Sequence, residues 1–335
     1  MRILLVLVML AFQGYGQDLS LKQLTTGSNT SLRGLSVVSV RVAWVSGSNG
    51  YVGRTVNGGA DWQWTQPKGF ENLDFRDIEA FDDQKAVIVN AGSPAFILVT
   101  KDGGQSWTQA YVNRDSSIFL DGMDFWDNHT GIIFGDPIHS KLQLLKTVDG
   151  GASWKDISGN LKPEMKLGEA GFAASGSSIK AMGKGKVWIV TGGSVSNVYY
   201  SKNYGNSWEK YACPIVQGVN STGAFSIDLT SDNNGIVVGG DYLKEKENQN
   251  NVLITSNGGR SWTKPTMPVF GYRSSVAYIS DATAVAVGSS GVDVSRDRGL
   301  TWQHLSDLNF NAVKKAKQGN LVLVVGVKGD IFKLE

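Results

Sequence analysis

The residues best suited to acid–base chemistry lie in two insertions of an otherwise repetitive chain. Asp136 and His139 belong to the segment 135–141, and Glu169 lies near the end of the segment 160–170. Two carboxyl groups on either side of a sugar can cleave a glycosidic bond, one as acid and one as base or nucleophile. Gly-Asp-Pro sequences also form simple turns, so a structural role for Asp136 is the alternative.

Two further carboxylates extend this candidate set. Asp121 lies near the start of an apolar strand, and Asp241 opens a long charged and Asn-rich segment that ends at Asn251. Binding residues are often carried by loops of this kind. The catalytic candidates are therefore Asp136, His139, Glu169, Asp121 and Asp241.

Three apolar strands begin with the same pattern of an aromatic or aliphatic residue followed by Arg. The arginines are Arg33, Arg76 and Arg273. Equivalent positions in a repeat predict a ring of guanidinium groups, which can bind carboxylates or phosphates in a bidentate manner. The alternative is that each Arg pairs with a neighbouring Asp, such as Asp77, and only braces the fold.

Several other classes of site find no support in the sequence. The three His residues are scattered and lack metal-ligand spacing, and Gly183-Lys184-Gly185 lacks the third Gly of a dinucleotide fingerprint. We therefore expect no metal and no cofactor. With 32 basic and 30 acidic residues, the net charge of +2 favours neither nucleic acid nor an anionic membrane as partner. Cys213 is the only cysteine, so it cannot form an intrachain disulfide, and its exposure stays open.

The elements that must position these residues are indicated by a motif that recurs six times. Its form is Thr-x-Asp-Gly-Gly-x-Ser-Trp, with Ser, Asn or other small changes at some positions. Asx and Ser/Thr side chains bond backbone amides within tight turns, Gly suits positive φ, and Trp packs on a sheet. The Asx and Trp residues are Asn57, Asp102, Asp149, Asn203, Asn257, Asp297, Trp62, Trp107, Trp154, Trp208, Trp262 and Trp302. We interpret all twelve as structural.

The repeat predicts an all-β chain, a seven-bladed β-propeller. An apolar strand ending in Gly precedes each turn, and a seventh such strand, 321–326, has no turn after it. Leu19–Thr25 alternates apolar and polar residues, so we expect it to supply the outer strand of the last blade and close the ring. Predicted blades are 31–68, 73–112, 117–158, 169–212, 222–266, 271–307, and 308–335 with 18–26. A six-bladed ring is the alternative.

Residues 1–16 have the order of a secretory signal. Arg2 is followed by an apolar run from Ile3 to Phe12 and by small residues at Gly14 and Gly16. We expect cleavage before Gln17, export to the periplasm or the exterior, and a single monomeric propeller domain over 17–335. The apolar run is too short to span a bilayer, so we expect no stable membrane insertion.

The repeated turn closely resembles the Asp-box, or bacterial neuraminidase repeat, of β-propellers. In register with Phe75-Arg76-Asp77-Ile78 and the turn 100–107, it looks like the repeat of the photosystem II stability/assembly factor-like family. That resemblance implies an exported seven-bladed propeller, a non-catalytic assembly role and an Arg-rich patch, which Arg33, Arg76 and Arg273 could match. Sialidases instead carry Phe/Tyr-Arg-Ile-Pro, and no Pro follows Arg76 here.

We therefore predict a propeller that binds a protein partner and assists assembly of an envelope complex. The alternative is a glycan-active hydrolase or lyase, or a carbohydrate-binding propeller, using carboxylates on the face opposite the repeated turns. No redox cofactor is indicated.

Overall fold

The computed structural model describes residues 19–25 and 29–335, which form seven antiparallel sheets around a central axis. Residues 1–18, which include the predicted signal and its cleavage point, lie outside the described residues. The second strand of most blades, such as Ala86–Asn90, is buried along its whole length because a neighbouring blade covers each of its faces. The prediction of a seven-bladed, all-β propeller is confirmed.

The strands follow the chain in order from the inside of each blade to the outside. The first described strand, β1 (Leu21–Thr25), belongs to the last blade. Blade one contains β2 (Leu32–Val37), β3 (Ala43–Gly47), β4 (Val52–Thr55) and β5 (Gln63–Thr65). Blade two contains β6 (Phe75–Ala80), β7 (Ala86–Asn90), β8 (Ala95–Thr100) and β9 (Thr108–Asn113). Blade three contains β10 (Leu120–Phe125), β11 (Gly131–Ile138), β12 (Lys141–Thr147) and β13 (Lys155–Asp156).

The second half of the ring includes two short additional strands. After a 3₁₀ turn at Ser158–Asn160 come β14 (Glu169–Ala170) and then blade four, which contains β15 (Ile179–Met182), β16 (Lys186–Val190), β18 (Asn197–Ser201) and β19 (Glu209–Ala212). The short β17 (Gly192–Gly193) lies between β16 and β18 in the chain but pairs with β14 and with β20 of blade five. Blade five contains β20 (Thr222–Leu229), β21 (Gly235–Asp241) and β22 (Val252–Thr255). Blade six contains β23 (Ser275–Tyr278), β24 (Ala284–Gly288), β25 (Gly291–Ser295) and β26 (Gln303–Ser306). Blade seven contains β27 (Ala312–Lys315), β28 (Val322–Val325), a 3₁₀ turn at Val327–Gly329, and β29 (Ile331–Leu334).

The ring is closed by the N-terminal strand, as the sequence predicts. Strand β1 pairs antiparallel with β29, with Leu21 opposite Leu334 and Gln23 opposite Phe332. Blade seven also packs against blade one, where Leu35 and Leu323 share a buried cluster. Closure of this kind removes the open end that a linear row of blades would leave.

Two blade boundaries differ from the prediction. Blade four begins at Ile179 rather than at residue 169, because Glu169–Ala170 pairs with Gly192–Gly193 in a sheet extended from blade five. The outer strand predicted within blade five is reduced to one bridge between Ile254 and Thr263. Pro265 follows two residues later and has no N–H to continue the ladder.

The six repeated turns share one hydrogen-bond pattern. In the turn of blade two, Thr100 Oγ1 donates to Asp102 Oδ1 at 2.8 Å and accepts from Gly104 N at 3.0 Å. The amide of Ser106 donates to the same Asp102 oxygen at 2.9 Å. Gly104 has φ of 86°, a conformation that L side chains rarely adopt. Hydrogen bonds from Ser106 and Thr100 hold the pKa of Asp102 at about 2, which keeps its carboxylate charged in the turn.

Candidate functional site

The centre of the propeller is crossed by the segment Gly171–Ser178, which we call the plug. The plug connects β14 to β15 and touches the inner strands of most other blades. Ser175 Oγ donates to Ser274 O at 2.8 Å in blade six, and Ser177 Oγ donates to Ser226 Oγ at 2.7 Å in blade five. A Cβ on Gly176 would lie 2.2 Å from Asp77 Oδ1 in blade two. The small residues of the plug therefore let it fit between the inner strands.

Arg33 and Arg76 hold the plug from the side of blades one and two. Arg33 NH1 donates to Ala174 O at 3.0 Å, and Arg76 NH1 donates to Ala173 O at 3.5 Å. Arg76 Nε also forms an ion pair with Asp74 at 2.7 Å, and its side chain is one-third exposed. Within the described part of the chain, no carboxylate lies within salt-bridge distance of Arg33. Burial, and secondly the positive charge of Arg76, lowers the pKa of Arg33.

The plug forms the floor of a cavity of about 540 Å³ at the mouth of the axis. Its walls come from every blade of the ring except the fourth, together with the plug and Ala170 just before it. The residues that contribute side chains of functional interest are Arg33, Arg76, Asp121, Asp136, Phe172, Phe225, Tyr242, Glu245, Tyr272 and Asn311. This composition combines cations, carboxyls and an aromatic surface, which is typical of a site that recognises a polar ligand of defined shape.

The aromatic surface lies on the side of blades five and six. Phe172 of the plug stacks on Phe225 with ring centroids 3.8 Å apart. Tyr272 meets Phe225 edge to face at 4.9 Å, and Tyr242 does so at 6.2 Å. Tyr242 is nearly half exposed, at 47 %. It therefore extends the aromatic surface out of the cavity towards the face of the ring.

Two of the predicted carboxylates, Asp121 and Asp136, meet on the blade-three side of the cavity. Asp136 Oδ1 accepts a hydrogen bond from the plug at Gly171 N, at 2.9 Å. Its pKa is raised because it is largely buried, although that hydrogen bond opposes the shift. Asp121 is fully buried, and its pKa is raised well above the usual value by burial and then by the nearby charge of Asp136.

The structure places Glu169 in a separate cluster behind the plug. Its Oε1 accepts from Thr191 Oγ1 at 2.7 Å, Asn197 Nδ2 at 2.8 Å and Tyr199 OH at 2.9 Å. Its Oε2 lies 3.3 Å from Lys210 Nζ. A carboxylate so fully engaged anchors the insertion to blade four, and Glu169 does not line the cavity.

The remaining predicted residues also lie away from the cavity. His139 is exposed at the tip of the β11–β12 hairpin with φ of 52°. Asp241 is buried and accepts a hydrogen bond from Leu243 N at 3.0 Å. Arg273 is fully buried in an ion pair with Asp293 at 2.7 Å, so it does not share the environment of Arg33. The bracing role considered as the alternative describes this contact of Arg273.

No protein-family model matches the chain. The photosystem II assembly lipoprotein Ycf48 of Synechococcus sp. (strain CC9902) is 25% identical over 269 residues, covering 77% of this chain and 70% of that protein. The chain therefore resembles a photosystem II assembly factor.

Solved structures with a similar fold include two of YCF48 and a WD40 propeller domain. A structure of YCF48 bound to D1 peptide aligns with a TM-score of 0.66 at 17% identity, covering 94% of this chain and 96% of that one. YCF48 from Cyanidioschyzon merolae gives 0.63 at 17% identity, with coverages of 94% and 98%. The WD40 propeller domain of Doa1 gives 0.66 at 10% identity, covering 95% and 97%. The resemblance to the photosystem II stability/assembly factor-like family that the repeat predicts is confirmed, while the structural likeness at these identities shows the fold.

Beside this resemblance, the cavity contains residues that the sequence reasoning missed. Phe172 and Phe225 carry no motif, and they meet because the plug crosses the axis. A signal for the plug was present, since residues 171–178 are almost all Gly, Ala and Ser between two strands. The side chains of such a run are too small and too polar to pack as a blade strand.

The described residues hold neither a metal cluster nor a membrane-spanning helix. Across residues 19–25 and 29–335, no group of three or more His, Cys, Asp or Glu side chains is placed to bind a metal ion. No helix in the same ranges is long and apolar enough to cross a membrane.

Proposed function

We propose that this protein is a non-catalytic assembly or stability factor that binds a segment of a partner protein at the axial cavity. An acidic group of that segment lies between Arg33 and Arg76, and its neighbouring side chains pack on Phe225 and Tyr242. The observation that carries the proposal is the pair of guanidinium groups at one wall of the cavity, of which Arg33 has no carboxylate partner in the described chain.

Three further points support binding rather than chemistry. Arg presents a planar fork of donors that matches a carboxylate, and the plug fixes both side chains before any ligand arrives. Aromatic residues such as Tyr supply contact area at low entropic cost. The relative in sequence is a photosystem II assembly lipoprotein, and the similar YCF48 structure holds a D1 peptide.

We also propose that residues 1–16 direct export and that 17–335 form one monomeric domain outside the cytoplasm, serving an envelope complex. The order of Arg2, an apolar run and small residues supports the first part. Mass spectrometry of the protein purified from its native host tests it, since the N-terminus is expected at Gln17. An intact Met1 would contradict export by cleavage.

A photo-crosslinking amino acid at Tyr242 tests the binding site. In a native envelope fraction, it should capture a specific protein that the same probe at Val148 does not capture, because Val148 is exposed on the face of the repeated turns. The double variant Arg33→Gln/Arg76→Gln should abolish capture. The matched control Arg41→Gln/Arg296→Gln removes two exposed arginines from the turn face and should preserve it.

The opposite pattern of crosslinking would contradict the proposal. Capture that persists in Arg33→Gln/Arg76→Gln, or that is equal from Tyr242 and Val148, would mean that the axial cavity does not bind the partner.

One observation supports the alternative hypothesis of a glycan-active enzyme. The pKa of Asp136 is raised in a cavity that Asp121 also lines. A carboxyl group with such a pKa suits a general acid. Hydrolysis of any member of a polysaccharide panel, lost in Asp136→Asn, would favour this second candidate. We expect no turnover.

A further inference from the structure

The carboxyl group of Asp121 is buried without any hydrogen-bond partner. Neither oxygen contacts a donor in the described protein, and the residue is 1 % exposed. Most buried polar side-chain atoms have at least one partner, because an unpaired buried polar group destabilises the fold. This group lies in the wall of the axial cavity rather than in the packed interior of a blade.

The plug leaves Asp121 separated from the cavity by a glycine. A Cβ on Gly171 would lie 2.3 Å from Asp121 Oδ2, so only glycine fits beside this oxygen. The amide of the same glycine donates to Asp136 Oδ1, and the other Asp136 oxygen is not used in this contact. Asp136 is half-buried, and so forms the accessible edge of a carboxyl pair with Asp121 behind it.

The cations that line the cavity do not neutralise this pair. Arg76 acts on Asp121 only through its charge, because its hydrogen bonds go to Asp74 and to Ala173 O. Arg33 is directed to Ala174 O. The cavity therefore has a wall of guanidinium groups at blades one and two and a wall of carboxyl groups at blade three.

We propose that the carboxyl pair of Asp136 and Asp121 binds a primary ammonium or guanidinium group of the same segment whose acidic group lies at Arg33 and Arg76. This inference rests on the proposed function and deepens it, because it defines the partner segment as one that carries a basic and an acidic group close together. An ammonium supplies up to three donors for the accessible carboxyl group of Asp136, and the buried carboxyl group of Asp121 adds negative charge from behind Gly171.

Proton release accompanies this binding. The pKa values of Asp121 and Asp136 are both raised, chiefly by burial, so an arriving cation favours their charged forms and displaces protons. The charged groups facing the pair are Arg76 and Arg33, with Glu245 in the same cavity. Affinity for a cation therefore rises with pH across the titration range of the pair.

Two small probes separate the two walls. Titration calorimetry with butylammonium chloride reports on the carboxyl pair, and titration with sodium butyrate reports on the guanidinium pair. Asp136→Asn should weaken butylammonium binding by about tenfold, the effect of losing one charge-assisted hydrogen bond. Asp121→Asn should weaken it less, because only a nearby negative charge is removed, and both variants should leave butyrate binding unchanged. The control Asp281→Asn removes an exposed carboxylate on the turn face and should change neither.

The heat of butylammonium binding gives a second readout. In the wild type it should depend on the ionisation enthalpy of the buffer, because protons are released, and this dependence should vanish in Asp136→Asn. Should Asp121→Asn fold poorly, Asp136→Asn decides alone. Absent butylammonium binding, or equal binding in wild type and Asp136→Asn, would overturn the inference. Absent butyrate binding in the wild type would instead speak against the guanidinium site of the proposed function.

Discussion

The most demanding prediction concerns the buried ion pair of Arg273 and Asp293 in blade six. Both side chains are fully buried, and Asp293 Oδ2 accepts from Arg273 Nε at 2.8 Å and from Phe270 N at 2.8 Å. Arg273→Met leaves Asp293 as a buried charge that has lost the hydrogen bonds from the guanidinium group. Removing one partner of a buried pair costs about 3–5 kcal/mol of unfolding free energy.

The remaining donors place the expected cost at the lower end of that range. Phe270 N stays in place, and His304 Nδ1 lies 3.1 Å from the other Asp293 oxygen. Urea denaturation should therefore show that Arg273→Met loses about 3 kcal/mol. Arg273→Met/Asp293→Asn should be more stable than Arg273→Met alone, because no uncompensated charge is left in the core.

The destabilisation caused by Arg273→Met should depend on pH, because His304 also contacts Asp293. Burial alone lowers the pKa of His304, but its hydrogen bonds to Asp293 and Asp307 raise it overall. A raised pKa means that the stabilising charge of His304 is fully present below pH about 6.5 and is lost as pH rises through the folded value. Arg273→Met should thus be more strongly destabilised at pH 8 than at pH 6.

A matched control separates burial from charge. Lys333→Met breaks the half-exposed pair of Lys333 and Glu335 and should cost at most about 1 kcal/mol. The reasoning fails if Arg273→Met costs no more than this control, or if its cost is the same at both pH values.

Three further predictions concern the turns, the closure and the cysteine. In the turns, hydrogen bonds lower the pKa values of the acidic residues, so their contribution is present above pH about 4 and is lost as the pH falls through the folded values. The loss of Tm between pH 5 and pH 2 should be smaller in Asp102→Asn/Asp149→Asn/Asp297→Asn than in wild type, and an equal loss would contradict this. Deleting residues 19–25 exposes the edge of β29 and should lower Tm and increase aggregation on heating, whereas an unchanged Tm would show that β1 adds no stability. Cys213 is fully buried with its pKa raised to about 12, so a thiol reagent at pH 8 should label it only in denaturant; rapid labelling of the native protein would refute this.

The architecture was predictable because the same short sequence motif recurs from blade to blade. Each turn carries its own hydrogen-bonding residues, and the strand before it is apolar, so blade number follows from counting. Even the closure by β1 could be inferred, since no repeated turn follows the apolar strand predicted at 321–326 in blade seven.

The site was less predictable because its residues meet through the plug. Arg33 and Arg273 follow the same local pattern, yet one faces the cavity and the other is buried against Asp293, twenty residues further along. Glu169 and Asp136 lie in two different insertions, and the plug contacts Asp136 directly while Glu169 is held in a separate cluster at blade four. Only the path of the chain in space distinguishes these cases.

The closure of the ring has a consequence for the order in which the chain folds. Leu21 pairs with Leu334, so the first described strand must wait for almost the whole chain before it finds its partner. Bringing such distant segments together has a high entropic cost, and proteins with many contacts of this range fold slowly. Blades one to six can form in sequence as the chain emerges, but the ring is sealed last. Until then, β29 presents a free edge, and this stage is where a chaperone or a competing strand would act on the protein.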